Sequence, residues 1–205
     1  HGLHILVSQP STKPQCVDII AIHGLNGHYE ATWTDRTTGA NWLKDPAFLS
    51  NDIPYARIQS FGYNSLTYFS RSNANIRDFA SELLAAIKSS RKTVVEKKRP
   101  IVFICHSLGG IAVVRAHEQN QHYSNILENI KGVAFFGTPH QGSDLAFWDY
   151  IGTTIVRAVA LGYSTNTTLS KDLKIDSTML KNISESFSYR GEKMRIRSFY
   201  ETESM

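Results

Sequence analysis

The sequence has 205 residues, of which 41% are hydrophobic and 20% charged, and these values suit a single globular domain with one sizeable core. The formal net charge is +4, and much of the positive excess lies in a basic segment from Lys88 to Arg99 whose lysines and arginines follow helical spacing. A cationic helix end explains this segment, and no aromatic-rich basic motif accompanies it. We therefore expect no nucleic-acid partner.

The cysteine and hydropathy patterns exclude two further classes of protein. The sequence contains two cysteines, Cys16 and Cys105, and Cys105 lies inside a predicted strand, so a disulfide framework is not indicated. No apolar run approaches the roughly 20 residues of a membrane span, and no secretory h-region is present in the given sequence. We expect a cytoplasmic protein without a transmembrane segment.

Strands and helices are predicted to alternate along the chain. An amphipathic helix is expected over 75–92 and a short helical segment over 42–49. Apolar runs predict strands at 4–7, 17–22, 56–63, 101–105, 130–136 and 194–200. This order predicts a mostly parallel, doubly wound α/β sheet with helices on both faces. The chain begins at His1 and stops at Met205 soon after the last predicted strand. We therefore expect one domain, residues 1–205, from a longer protein.

The strand at 101–105 leads into the stretch C-H-S-L-G-G. The apolar run of the strand stops at Ser107, and Gly109 and Gly110 open a segment with helical spacing. A serine on a sharp turn from strand to helix is typical of a nucleophile elbow, although Cys105 stands where the G-x-S-x-G motif has its first glycine. The alternative is a chance serine in a tight loop.

A second glycine-bearing loop, H-G-L-N-G-H, follows the strand at 17–22. Glycines allow the backbone to approach an oxygen that becomes negative during acyl transfer, so this loop is a candidate oxyanion loop. The candidate donors are the backbone N–H groups of Leu25 and Leu108, the latter following Ser107. His23 and His28 are interpreted as structural residues, because a histidine before such a loop more often fixes its shape than transfers a proton.

Four stretches, I-H-G-L-N-G, C-H-S-L-G-G, F-F-G-T-P-H-Q-G-S-D and F-Y-E-T, together resemble an α/β-hydrolase family. The resemblance covers essentially the whole chain. Within this family, the chain is similar to the serine lipase/esterase domains at the amino terminus of fungal NACHT-type, NLR-like proteins. Related domains occur in animal lipase-like proteins and glycosylphosphatidylinositol inositol deacylases. It implies an α/β-hydrolase fold that here stops before the last strand.

The resemblance also implies roles for individual residues. Ser107 would be the nucleophile and Glu201 the acid that orients the histidine, with Asp144 as the alternative acid. In this fold the histidine follows the acid by one more strand, so we expect it beyond Met205, and His140 is a weak candidate within the chain. The residues expected to shape the loops are His23, Gly24, Gly27, His106, Gly109 and His140.

The sequence therefore predicts a serine hydrolase that cleaves carboxylic esters, plausibly of lipids, without a metal or organic cofactor. The alternative is a hydrolase-fold effector or signalling module with impaired catalysis inside a larger immune-receptor-like protein, whose partners would include other domains of the same chain. A cofactor-binding α/β domain is disfavoured, because the glycines after the strands do not form G-x-G-x-x-G.

Overall fold

The computed structural model describes residues 1–8, 16–24, 26–65, 73–107, 109–110, 113, 120–137 and 194–199, with the side chains of 73–77 and 120–122 excepted. Within these residues one sheet contains six strands in the order β1-β3-β2-β4-β5-β6. The strands are β1 (Gly2–Val7), β2 (Val17–Ile22), β3 (Ala56–Gly62), β4 (Ile101–His106), β5 (Ile130–Phe136) and β6 (Arg195–Phe199). Strand β1 pairs antiparallel with β3 at one edge, and all the other pairs are parallel.

The described helices are α1 (Leu49–Asp52), α2 (Asn73–Ser90), α3 (Val94–Lys98) and α4 (Asn120–Asn129), with a short 3₁₀ helix at Ala31–Trp33. Helix α3 begins at a capping box, because Thr93 Oγ1 accepts from the Glu96 N–H at 3.1 Å and the Glu96 carboxylate accepts from the Thr93 N–H at 2.9 Å. The mostly parallel sheet predicted from the sequence is confirmed.

The core lies on both faces of the sheet. On one face, buried residues of β2, β4 and β5 pack against α2 and α4. The strands contribute Ile20, Ile22, Phe103 and Phe135, and the helices contribute Phe79, Leu83, Ile126 and Leu127. On the other face, Ile19, Ala21, Ile58 and Ile104 pack against Trp33 and Leu43, with Leu49 of α1 at the margin. Strands buried on both faces need apolar residues at successive positions, which is why their sequences read as continuous apolar runs.

One element differs from its prediction. Residues 42–48 form turns and a bend, and helix α1 starts only at Leu49. The helical segment expected over 42–49 is therefore wrong. The side-chain oxygen of Asn41 accepts from the backbone N–H of Leu43 at 3.1 Å, and the backbone N–H of Asn41 donates to the Asp45 carboxylate at 2.6 Å. These local side-chain bonds to the backbone compete with helix formation.

Charged residues converge at the amino ends of the parallel strands, the edge opposite Ser107. Asp18 of β2 is fully buried and accepts from Arg57 through Nε at 2.9 Å and Nη2 at 2.8 Å. Arg91 and Arg99 donate to the same carboxylate at 2.7 and 2.9 Å. Arg57 also bonds Glu96 at 3.1 Å.

This cluster corrects part of the sequence analysis. The basic segment was expected to be a cationic helix end, and Lys97 and Lys98 do lie in the last turn of α3. Arg91 and Arg99 are instead 2% and 4% exposed and belong to the buried cluster. Two of the basic residues therefore neutralise an internal carboxylate.

No helix among the described residues has the length and apolar character needed to cross a membrane.

Candidate active site

Ser107 occupies a tight turn at the carboxyl end of β4. Its φ is +49°, in the left-handed region that residues other than glycine seldom adopt. Its N–H donates to the Phe136 carbonyl at 2.9 Å, and its own carbonyl accepts from the Gly110 N–H at 3.1 Å. The first bond extends the β4–β5 pairing, and the second begins a helical turn. The sharp strand-to-helix turn predicted from the sequence is therefore present.

Two glycines allow β2 and its loop to approach this turn closely. A Cβ at Gly109 would lie 2.5 Å from the carbonyl oxygens of Ile22 and His23. A Cβ at Gly24 would lie 2.8 Å from the Ser107 Cβ and 3.0 Å from the His106 carbonyl oxygen. Real Cβ atoms do not approach other atoms this closely, so both positions require glycine. The loop after β2 thus lies directly against the serine.

The loop after β2 is held by hydrogen bonds within itself. The carbonyl oxygen of Gly24 accepts from His23 Nδ1 at 2.9 Å and from the Gly27 N–H at 3.2 Å. Asn26 has a φ of +55°, which suits the third position of a tight turn and which asparagine tolerates better than most residues. This geometry fits the loop-shaping role expected of His23, Gly24 and Gly27.

His23 is buried beneath an aromatic ring and stays neutral. It is 1% exposed, and its ring stacks on Tyr63 with ring centres 4.2 Å apart. Within the described part of the chain, Nε2 has no hydrogen-bond partner. Burial lowers the pKa of His23 from 6.5 to about 4, with a smaller opposing contribution from the bond to Gly24. A neutral, enclosed imidazole suits a structural role, as the sequence analysis expects.

This buried histidine should make the protein sensitive to mild acid. The folded state disfavours the protonated ring, whereas the unfolded chain binds a proton near pH 6.5, so stability is complete above that pH and falls as the pH drops toward 4. We expect the free energy of unfolding to fall by about 3 kcal/mol across that window, since one pKa unit corresponds to about 1.4 kcal/mol. Urea denaturation at pH 7.5 and 4.5 measures it. If the free energy of unfolding of His23→Gln falls between pH 7.5 and pH 4.5 by as much as that of the wild type, the acid sensitivity does not come from His23.

Cys105 fits the position where the G-x-S-x-G motif has a glycine. Its side chain is fully buried in β4, and burial raises the pKa of its thiol far above the usual value. The thiol is therefore protonated and enclosed, which excludes it as a competing nucleophile. The departure from the motif is accommodated in the core without altering the turn at Ser107.

The remaining predicted site residues lie outside the described residues. They are Leu25, Leu108, His140, Asp144 and Glu201. His106 is described and half-buried. In the part of the chain that the structure describes, no group of three or more His, Cys, Asp or Glu side chains is placed to hold a metal ion.

The sequence analysis did not predict a polar cleft beside the loop. This cleft has a volume of about 540 Å³ and extends from Asn26 and His28 to Thr32, Arg36 and Lys44. Residues up to 18 positions apart in the chain, from Asn26 to Lys44, meet there because the turns after the 3₁₀ helix fold back toward the loop. No periodic pattern marks such an arrangement in the sequence.

Comparison with solved structures establishes the fold. A carboxylesterase structure from the thaumarchaeon Nitrososphaera gargenis matches with a TM-score of 0.50 and 11% sequence identity, covering 94% of this chain and 74% of that one. The mostly parallel sheet, the serine turn after β4 and this match together define an α/β-hydrolase fold. The predicted fold class is confirmed.

Comparison with curated proteins gives more similar sequences. Protein SERAC1 from Homo sapiens is 26% identical over 226 residues, which cover 98% of this chain and 33% of that protein. Protein SERAC1 from Danio rerio is 25% identical over 230 residues, with the same coverage. The chain thus spans about a third of the length of the curated relatives it matches. No protein-family model matches the chain.

Proposed function

We propose that this protein is a serine hydrolase that cleaves carboxylic esters of small molecules or lipids, with Ser107 as its nucleophile. The observation that carries the proposal is the positive φ of Ser107 at the carboxyl end of β4, with Gly24 directly against it. Strain of this kind persists only where the surrounding structure enforces it, and it is concentrated at functional sites. A strand-to-helix turn holds the serine hydroxyl at the edge where α/β sheets bind ligands.

The reaction follows from the chemistry of the fold. Ser107 Oγ attacks the ester carbonyl, a histidine accepts its proton, and the carbonyl oxygen becomes negative in a tetrahedral intermediate. We propose the backbone N–H groups of Leu25 and Leu108 as the donors that stabilise this oxygen. The alcohol then leaves with the proton from the histidine, and water hydrolyses the acyl-enzyme.

The acid and the base of the triad are also proposals. We assign Glu201 as the acid, ahead of Asp144. The histidine follows the acid in the chain order of this fold, so we place the base after Met205. The polar cleft at residues 26–44 carries no role in this proposal. The wider context of a fungal NACHT-type protein and a cytoplasmic location stay predictions.

Covalent labelling tests the assignment of Ser107. A fluorophosphonate probe transfers its phosphonyl group to an activated serine and releases fluoride. We expect labelling of the protein extended by its native residues after Met205, and loss of labelling in Ser107→Ala. Ser50→Ala, a serine on α1, should label like the wild type. If the extended wild type is not labelled, the hydrolase proposal fails and the effector module becomes the better interpretation.

A further inference from the structure

The loop between β2 and the 3₁₀ helix is attached to the carboxyl end of β3 at two points. The Tyr63 hydroxyl donates to the His23 carbonyl at 2.5 Å, and the Asn26 N–H donates to Ser65 Oγ at 2.9 Å. Tyr63 and Ser65 are 7% and 4% exposed, so both side chains are held in the interior. The bond from Tyr63 is buried, and the bond to Ser65 is partly buried because Asn26 lies at the surface. The two anchors lie on either side of Gly24, the residue of the loop that approaches Ser107 closely.

These anchors supply what an oxyanion donor in this loop requires. The Gly24 carbonyl oxygen is fixed by His23 Nδ1 and the Gly27 N–H. In a trans peptide the carbonyl and the N–H of the next residue point in opposite directions. A donor at Leu25 therefore needs the Gly24 carbonyl to be held in one orientation, and the loop must not rotate about its ends. Tyr63 holds one end, and Ser65 holds the other.

We propose that Ser65, together with Tyr63, is a positioning residue that orients the Leu25 N–H toward the developing oxyanion. Neither side chain needs to touch the substrate, since each acts through a backbone group of the loop. The positive φ of Asn26 makes the Ser65 bond the more consequential, because a left-handed residue without its anchor relaxes toward other conformations. This inference rests on the proposed hydrolase function and names further residues on which its geometry depends.

Ser65→Ala tests the inference with two readouts, and wild type and variants are all made in the protein extended by its native residues after Met205. The first readout combines turnover of p-nitrophenyl butyrate with inhibition by a butyryl trifluoromethyl ketone. The serine oxygen adds to the carbonyl carbon of this inhibitor, and the carbonyl oxygen becomes an oxyanion in the resulting tetrahedral adduct. We expect kcat to fall about 10-fold with KM unchanged, and the inhibitor to bind weaker by a similar factor, because small misplacements of a catalytic group carry losses of this order. Tyr63→Phe should act in the same direction. Ser65→Thr keeps the acceptor oxygen and should retain activity.

The second readout does not depend on turnover. Amide hydrogen exchange of a peptide spanning residues 23–28 should accelerate in Ser65→Ala. The matched control is Ser60→Ala, which removes a buried hydroxyl of β3. This hydroxyl bonds Trp33 Nε1 at 3.1 Å and the Ala21 carbonyl at 3.5 Å, and these partners lie outside residues 23–28. This control should leave both kcat and loop exchange unchanged.

The two proposals fail in different ways. If the wild type neither turns over the ester nor reacts with a fluorophosphonate, the hydrolase proposal fails, whatever the exchange shows. If the wild type is active but Ser65→Ala keeps its kcat and inhibitor affinity, the positioning role is wrong. Unchanged loop exchange in Ser65→Ala overturns the anchor itself.

Discussion

Replacing Asp18 with asparagine is expected to lower the free energy of unfolding by about 3 to 5 kcal/mol, the usual cost of removing one partner from a buried ion pair. The substitution keeps the shape of the side chain, removes its charge and replaces one acceptor oxygen with an NH₂ group. Three guanidinium groups, from Arg57, Arg91 and Arg99, would then face a neutral amide in the interior. Glu96 would remain as the carboxylate bound to Arg57.

The magnitude follows from how the cluster is connected. Asp18 is fully buried and takes four hydrogen bonds from the three arginines, two of them from Arg57 in a bidentate pair. An asparagine presents one oxygen and adds N–H donors that point at other donors. Arg57, Arg91 and Arg99 are 7%, 2% and 4% exposed, so water does little to replace the lost carboxylate.

Two controls separate this cluster from ordinary electrostatics. Glu30→Gln removes one partner of the partly exposed Lys44 pair and should leave stability nearly unchanged, because solvent screens exposed ion pairs. Arg99→Met should cost less than Asp18→Asn, because Arg99 Nε and Nη2 are buried without a hydrogen-bond partner among the described residues and Asp18 keeps its other arginines. Urea denaturation at pH 7.5 measures all three. A loss below about 1 kcal/mol for Asp18→Asn would contradict the account.

The Asp18 cluster also shows where sequence reasoning reaches its limit. The runs at 17–22 and 130–136 gave β2 and β5 their observed bounds, since strands buried on both faces are continuous and apolar. Asp18 is the one polar residue in the first run, and the apolar pattern around it predicts no ion pair. An aspartate inside such a run is a signal for buried cations, but its partners lie 39, 73 and 81 residues away, and no local pattern links them.

The candidate site was predictable to a similar extent. The turn at Ser107 and the glycines against it follow from short motifs, whose spacing expresses a local backbone requirement. The anchors at Tyr63 and Ser65 do not, because aromatic and serine residues after a strand fit many roles. Tyr63 packs 4.3 Å from the Phe79 ring and belongs to the core, while its hydroxyl holds the loop. Only the tertiary structure brings these functions together in one side chain.

Gly24→Ala is expected to slow fluorophosphonate labelling of Ser107 by about 100-fold, the loss typical of displacing a catalytic group by roughly 1 Å. The added methyl group would lie 2.8 Å from the Ser107 Cβ and 3.0 Å from the His106 carbonyl oxygen. Neither atom belongs to the end of a flexible side chain. Either the turn at Ser107 or the loop after β2 must therefore move.

Both movements impair the same reaction. A shift of the turn displaces Oγ from the attack position, and a shift of the loop displaces the donor proposed at Leu25. Ser107 cannot easily adjust, because its φ of +49° is already enforced by the bonds to Phe136 and Gly110. The fold should persist, since overpacking by one methyl group usually costs about 1 to 3 kcal/mol.

The matched control is Gly132→Ala, at the amino end of β5. A Cβ there would lie 3.2 Å from the Arg195 carbonyl oxygen, so this variant also crowds a buried glycine, but at the edge of the sheet opposite Ser107. It should lose stability and keep the wild-type labelling rate. Labelling rates of the two variants, measured well below their melting temperatures, separate crowding at the serine from crowding in general. Equal rates would show that contact between Gly24 and Ser107 does not govern the nucleophile.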